Sequence, residues 1–139
     1  MEVPAELDAL QQTVIDELLG SDAIVIGAPM YNFGIASTLK AWVDLIHVPG
    51  VTVPFDVPTQ PMAGRPAVIV TARGGADGPE NLYVTGPLTT VLGDGLGMRV
   101  SVVSTSRTLA DRLPELGVDR AEAEFEEARQ TAQRVARSS

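Results

Sequence analysis

The sequence predicts an α/β domain with helices on both faces of a parallel sheet. Two features of its 139 residues carry that expectation. Segments with apolar residues at helical spacing alternate with short, unbroken runs of β-branched residues. Such runs are the pattern of strands buried on both faces, as parallel strands are. The resulting order, α-β-α-β-α-β-α, implies right-handed crossovers within one three-layer α/β/α domain over residues 1–139.

Pro4 suits a first helical turn, and Leu7, Leu10, Val14 and Leu18 recur at spacings of three and four up to Gly20. This predicts an amphipathic helix over 4–19. "DAIVIGAP" follows as a strand expected to be covered on both faces. Ser37 is placed to cap the next helix, whose Leu39, Trp42, Val43 and Ile46 share one apolar side. Residues 47–66 hold five prolines, so most of that stretch is expected to be irregular. "AVIVTA", 67–72, reads as a second buried strand, and a glycine-rich loop, "RGGADGPENLYVTGP", comes after it. Leu88, Val91 and Leu92 predict a short helix, and "RVSVVSTS", 99–106, a third strand. "LADRLPELG" is expected to add a helical turn. In the last helix Ala121, Phe125, Ala128, Ala132 and Val135 line one side. Glutamates crowd its start and arginines its end, which complements the helix dipole. That charge run reads as a solvated face. Only three strands are visible, and "AIVIGA" has the character of a central strand with no earlier strand to pair with.

Composition narrows the function classes. A hydrophobic fraction of 45% describes a folded globular chain rather than a disordered one. The formal charge of -8 offers no basic footprint for a nucleic acid, which is therefore not an expected partner. With no cysteine, disulfides, thiolate metal sites and a cysteine nucleophile are excluded, and with a single histidine, His47, a histidine metal cluster within one chain is not expected. His47 reads as a surface residue near a helix end; Asp44, three residues earlier, could orient it, but one His and one Asp without a nearby Ser or Cys do not make a hydrolase site. The start, "MEVPAELDAL", lacks the basic and apolar regions of a signal peptide, and no apolar run reaches membrane-spanning length. A cytoplasmic location with no membrane partner is the expectation.

In open α/β sheets, ligands sit beyond the carboxyl ends of the strands. Two loops leave such ends. "PMYNFGIAS" offers aromatic faces, a flexible thioether, an amide and a glycine that permits close backbone approach. "TARGGADG" offers the backbone N–H groups of Gly74 and Gly75 beside the obligate cation Arg73. Together they suit a flat heteroaromatic ring with several hydrogen-bonding edges, such as a flavin.

"DAIVIGAPMYNFGIASTLKAWVDLI" followed by "GRPAVIVTARGG" resembles the flavodoxin-like family of FMN-dependent NADH-azoreductases and NAD(P)H:quinone reductases. The likeness is dense over residues 22–46 and 64–75 and looser, but colinear, to the end. It implies a flavodoxin-like fold in which Pro29, Met30, Tyr31, Asn32 and Phe33 lie along the isoalloxazine ring of FMN. Thr71, Arg73, Gly74 and Gly75 match the loop at the ring's polar edge. It further implies NAD(P)H as electron donor, a quinone or azo compound as acceptor, no obligatory catalytic side chain, and a homodimer whose partner subunit completes the pocket.

The sequence departs from that family in places. Its members begin with a strand and a serine-rich loop around the FMN phosphate, then a helix and a second strand; none of these is found here, so the fold is expected to be N-terminally incomplete. Ala36 stands where the family usually has proline, and Tyr83 lies beyond the family's usual tyrosine position. "STSRT", 104–108, is at most a weak substitute for a phosphate site. The alternative expectation is a cofactor-free interaction module, or complementing subunit, that associates through its exposed strand edge.

Overall fold

The computed structural model describes residues 5–73, 81–108, 110, 112, 115, 117–138 of the chain. Helix α1 (Ala5–Leu19) leads to strand β1 (Ile24–Gly27), helix α2 (Ser37–Ile46) and strand β2 (Pro66–Ala72). A helical segment follows, with α3 (Gly86–Thr89) set between π-helical turns at Asn81–Thr85 and Thr90–Gly95. Strand β3 (Arg99–Thr105) and the long helix α4 (Val118–Ser138) complete the described chain. The strands form one parallel sheet in the order β1-β2-β3.

Parallel register sorts the strand residues onto two faces. Ile24 and Ile26 stand beside Ala67 and Ile69. Ile26, Ala67 and Ile69 are buried with Val43 and Ile46 of α2, Leu88 of α3, Leu92, Leu96 and Met98. This face is the core. The expected apolar side of α2 is the buried one, with Leu39 and Trp42 packed at its margin.

The other face departs from the expectation. Val25, predicted to be covered on both sides, is 73% exposed, and Val70 of β2 is exposed as well. The reason lies in what surrounds the strand. On that face α4 approaches only β2 and β3, where Phe125, Ala128 and Ala132 border a cavity with Val70 and Val103. Among the described residues nothing covers β1 there, and β1 is an edge strand with β2 at the centre. Helix α4 itself has no buried residue, and Phe125 of its apolar stripe stays exposed.

The helices differ from their predicted outlines in detail. In α1 only Ile15 and Leu18 are buried, while Leu7 and Leu10 of the expected apolar face are exposed. The C-terminal half of the helix is the part that packs. It carries no basic residue in its last turn, and the guanidinium of Arg65 supplies that charge from a distance by donating to the carbonyls of Leu19 and Ser21, each at 2.8 Å. The N-cap of α2 is Ala36 and not Ser37, and no side chain caps it. Ser37 already lies in the first turn, so its hydroxyl is one residue too late to cap. Residues 47–65 are irregular, as the prolines require, and Thr52 fixes their start by accepting from the Val48 N–H at 2.9 Å and donating to the Ile46 carbonyl. Gly97, at φ +75°, brings the backbone so close to the Gln60 amide that a Cβ would stand 2.8 Å from it. The helical turn expected within 109–117 falls largely outside the described residues.

The two faces of β1 and β2 should respond differently to mutation. Ile69→Ala, in the core, is expected to cost about 3 kcal/mol, whereas Val25→Thr on the open face should change stability by less than about 0.5 kcal/mol. Urea denaturation of both variants checks this.

Candidate functional site

The candidate site begins where the β1–β2 ladder ends. The Ala28 N–H donates to the Val70 carbonyl at 2.8 Å, one residue past β1, so residues 29–34 leave the sheet at a fixed point beside the carboxyl end of β2. Ala28 is buried and Met30 packs against the core margin. Tyr31 and Gly34 then exchange two backbone hydrogen bonds, 2.8 and 3.0 Å, across a two-residue turn. Both central residues of that turn, Asn32 at φ 47° and Phe33 at φ 62°, are left-handed.

Two positive φ values in succession are the pattern of a type I′ turn, where Asn is favoured first and Gly second. Asn32 obeys the preference and Phe33 violates it. A bulky residue in the left-handed region costs on the order of 1 kcal/mol or more. What the chain gains is placement: the Phe33 ring is held outside the core, 65% exposed.

It is met there by a residue the sequence reading did not place in the site. The ring of Tyr83 stands edge-on to that of Phe33, with centroids 5.8 Å apart and planes at 73°. Tyr83 belongs to the π-helical turn Asn81–Thr85, whose Val84 and Thr85 are buried. The backbone is thus anchored while the ring faces outward. An aromatic residue in the glycine-rich segment was a usable signal, but its distance from Phe33 in sequence concealed the contact.

The second expected loop is only partly in view. Gly74 and Gly75 lie outside the described residues. Thr71 is buried, 2% exposed, on the core side of β2. Arg73 is held by backbone bonds to β3 and its sequel: its N–H donates to the Thr105 carbonyl at 3.3 Å, and its carbonyl accepts from the Thr108 N–H at 3.2 Å. Arg73 lines a cavity of about 310 Å³ beside β3, together with Ser104, Ser106, Glu124, Glu127 and Thr131. The structure therefore carries Pro29, Met30, Tyr31, Asn32 and Phe33 on one loop at the end of β1, where Phe33 meets Tyr83, while Arg73 borders the cavity beside β3 and α4.

The hydroxyl-bearing loop after β3 is closed by a carboxylate. Glu124 accepts from the Ser106 hydroxyl and from Arg107 Nε at 3.1 Å, with Arg120 Nε at 3.6 Å. Only 22% of its side chain is exposed, so this glutamate is not part of a solvated charge run. The Ser106 hydrogen bond, chiefly, holds its carboxyl below the usual value; burial opposes it, and Arg107 and then Arg120 add to the lowering. A phosphate at this loop would meet that anion, so "STSRT" is a tether between β3 and α4 rather than a phosphate site. Elsewhere Lys40 engages Asp44 at 2.6 Å on the exposed side of α2, which leaves His47 an exposed helix-end residue. No cluster of three potential metal ligands occurs among the described residues, and no described helix is long and apolar enough to cross a membrane.

A parallel sheet with its irregular, aromatic-bearing loop at the strands' carboxyl ends, covered by helices, defines a flavodoxin-like α/β protein. The chain belongs to that family: the family described as having a flavodoxin-like fold matches residues 1–135. It is 47% identical over 142 aligned residues to an FMN-dependent NADH:quinone oxidoreductase of Kineococcus radiotolerans, an alignment that takes in 97% of this chain and 67% of that protein. It is 48% identical over 92 residues to a protein of the same name from Shewanella baltica, of which it covers 46%. The chain thus spans between about half and two thirds of the length of these relatives. In fold it is similar to an FMN-dependent NADH-azoreductase of Bacillus anthracis solved in complex with FMN, with a TM-score of 0.75, 20% identity, and 99% of this chain and 67% of that one covered.

Two outcomes test the local physics. Because only glycine escapes the left-handed penalty, Phe33→Gly should be about 1 kcal/mol more stable than Phe33→Ala, the reverse of the usual order; thermal denaturation of the pair decides it. The depressed carboxyl of Glu124 stabilises the fold when ionised, so its contribution is present above the unfolded value near 4.5 and is lost as pH falls through the lower folded value. Glu124→Gln should therefore cost about 2 kcal/mol at pH 7 and flatten the acid limb of stability below pH 4.5, as read by urea denaturation across that range.

Proposed function

We propose that this chain is the ring-binding part of a cytoplasmic, FMN-dependent NAD(P)H oxidoreductase that reduces quinones or azo compounds. The observation that carries the reading is the loop of residues 29–34, projected from the carboxyl end of β1 by the last ladder bond and held in a strained turn. The 47% identity to a protein named for that activity supports it.

The residues present fit an isoalloxazine ring. Met30 anchors the loop to the core margin, so that the following residues have a firm base. The Asn32 amide has both donor and acceptor capacity for a ring edge. Tyr31 and Phe33 are exposed aromatic surfaces against which a flat ring can stack. Gly74 and Gly75 are the proposed polar-edge contacts, with Thr71 and Arg73 proposed as supports of that loop, since Thr71 is buried on the core side of β2 and Arg73 borders the cavity beside β3 and α4. FMN, when bound, supplies the exchange of two electrons between the nicotinamide and the acceptor. Overall, NADH, one proton and a quinone yield NAD⁺ and a quinol. The nicotinamide gives up a hydride and the balancing proton comes from solvent, so no side chain of this chain is needed as an acid or base, and none is assigned as a catalytic residue.

A second reading rests on the exposed Val25 and the open edge of β1. An uncovered strand edge is a template for another strand, and a homodimer or a complementing subunit would occupy it.

The purified chain, supplied with FMN, should show bound flavin absorbance and oxidise NADH with a quinone. Asn32→Ala should lower that rate roughly tenfold or more, the loss of one or more ring-edge hydrogen bonds, while sedimentation velocity shows assembly unchanged. A protein that neither retains FMN nor oxidises NADH, yet sediments as an oligomer, would replace the enzymatic reading with the interaction module.

A further inference from the structure

The pairing of Phe33 with Tyr83 serves no core. Both rings are substantially exposed, 65% and 43%, and each is carried by a backbone fixed independently of the contact. On one side is the left-handed turn closed by the two Tyr31–Gly34 bonds. On the other is the π-helical turn pinned by buried Val84 and Thr85. Two rings at 73° form a corner with one aromatic face along each wall. A corner of that shape stacks a planar ring on one wall and bounds its edge with the other. A non-aromatic or compact ligand would gain little from it.

We propose that Tyr83 is a specificity-determining residue that, with Phe33, selects planar fused-ring electron acceptors over single-ring ones. The inference rests on the flavin reading above and adds to it the acceptor class and the residue that chooses it. Phe33, next to Asn32 in the proposed ring-binding loop, ties the corner to the place where electrons would leave. Tyr83 forms the outer wall. Its hydroxyl is not needed for stacking, so phenylalanine should serve equally well at this position.

The experiment compares the full chain with Tyr83→Ala and Tyr83→Phe, each supplied with FMN and NADH. The acceptors are 2-methyl-1,4-naphthoquinone, 1,4-benzoquinone and ferricyanide. For Tyr83→Ala the KM for the naphthoquinone should rise roughly fivefold, the factor an aromatic contact of this kind carries. The KM for benzoquinone should change less than twofold, the ferricyanide rate should be retained, and Tyr83→Phe should behave as the parent chain. Equal losses with all three acceptors would show a structural role and overturn the proposal, as would an unchanged naphthoquinone KM. Ferricyanide needs no ring pocket, so failure of the parent chain to oxidise NADH with it marks failure of the flavin reading itself. In that event calorimetric titration of 2-methyl-1,4-naphthoquinone into the parent chain and Tyr83→Ala still decides the matter. Roughly fivefold weaker binding by the variant upholds the corner, and equal binding or none by both removes it.

Discussion

The rest of the molecule depends on how β1 is laid along β2. β1 is only four residues long and has a single strand neighbour among the described residues, so its position rests on one parallel ladder and one buried face. Ile26 opposite Ile69, both buried, sets the register, and the bond from the Ala28 N–H to the Val70 carbonyl extends it past the strand's end. A slip of one residue would turn Ile24 and Ile26 to the uncovered face and put Val25 into the core. It would also move the start of the 29–34 loop by a full strand step of about 3.3 Å. The register is thus both a packing decision and the decision about where the 29–34 loop stands.

The strain in the loop is supported from that base. A left-handed Phe33 persists only where surrounding structure over-determines it. Here the support comes from Ala28 and Met30 on the core side and the paired Tyr31–Gly34 bonds on the outer side. The opposite wall is built in another way. The helical run from Asn81 to Gly95 includes π-helical turns, and a turn widened by one residue rephases the side chains that follow. Val84, Leu88 and Leu92 all reach the core while Tyr83 remains outside. Irregularity on both walls therefore has the same effect, keeping an aromatic ring out of the core without loosening the chain that carries it.

Much of this was legible in the sequence where the signal is local. Short runs rich in β-branched residues located the three described strands, and the spacing of Leu39, Trp42, Val43 and Ile46 identified the buried side of α2. The exposure of Val25 was not legible, because a run of apolar residues reports an affinity for burial and not what lies opposite. The cap of α2 was missed by one residue, since Ser37 is a good capping type and the backbone enters the helix at Ala36 instead. The left-handed turn was hidden because its second residue is Phe where turn chemistry asks for Gly. Glu124 was read as one of several surface acids, and only the fold places Ser106 and Arg107 beside it. Each miss is a long-range fact expressed through a residue whose local preference points elsewhere.

Charge separates the carboxyl ends of β1 and β3 as surroundings for an anionic ligand. The chain carries a formal charge of -8, while FMN and nicotinamide nucleotides are themselves anionic through their phosphates. Screening limits that repulsion to charges within about 8 Å at physiological salt, so local composition matters more than the total. Residues 27–37 contain no charged side chain at all, and the next acid, Asp44, is already engaged by Lys40. At the carboxyl end of β3, by contrast, Glu124 and Glu127 line the cavity, and Arg107 is committed to Glu124. The sheet therefore presents one strand end that is closed by its own ion pair and one that is neutral, aromatic and open. An anionic aromatic ligand meets its smallest electrostatic penalty, and its largest stacking surface, at the second.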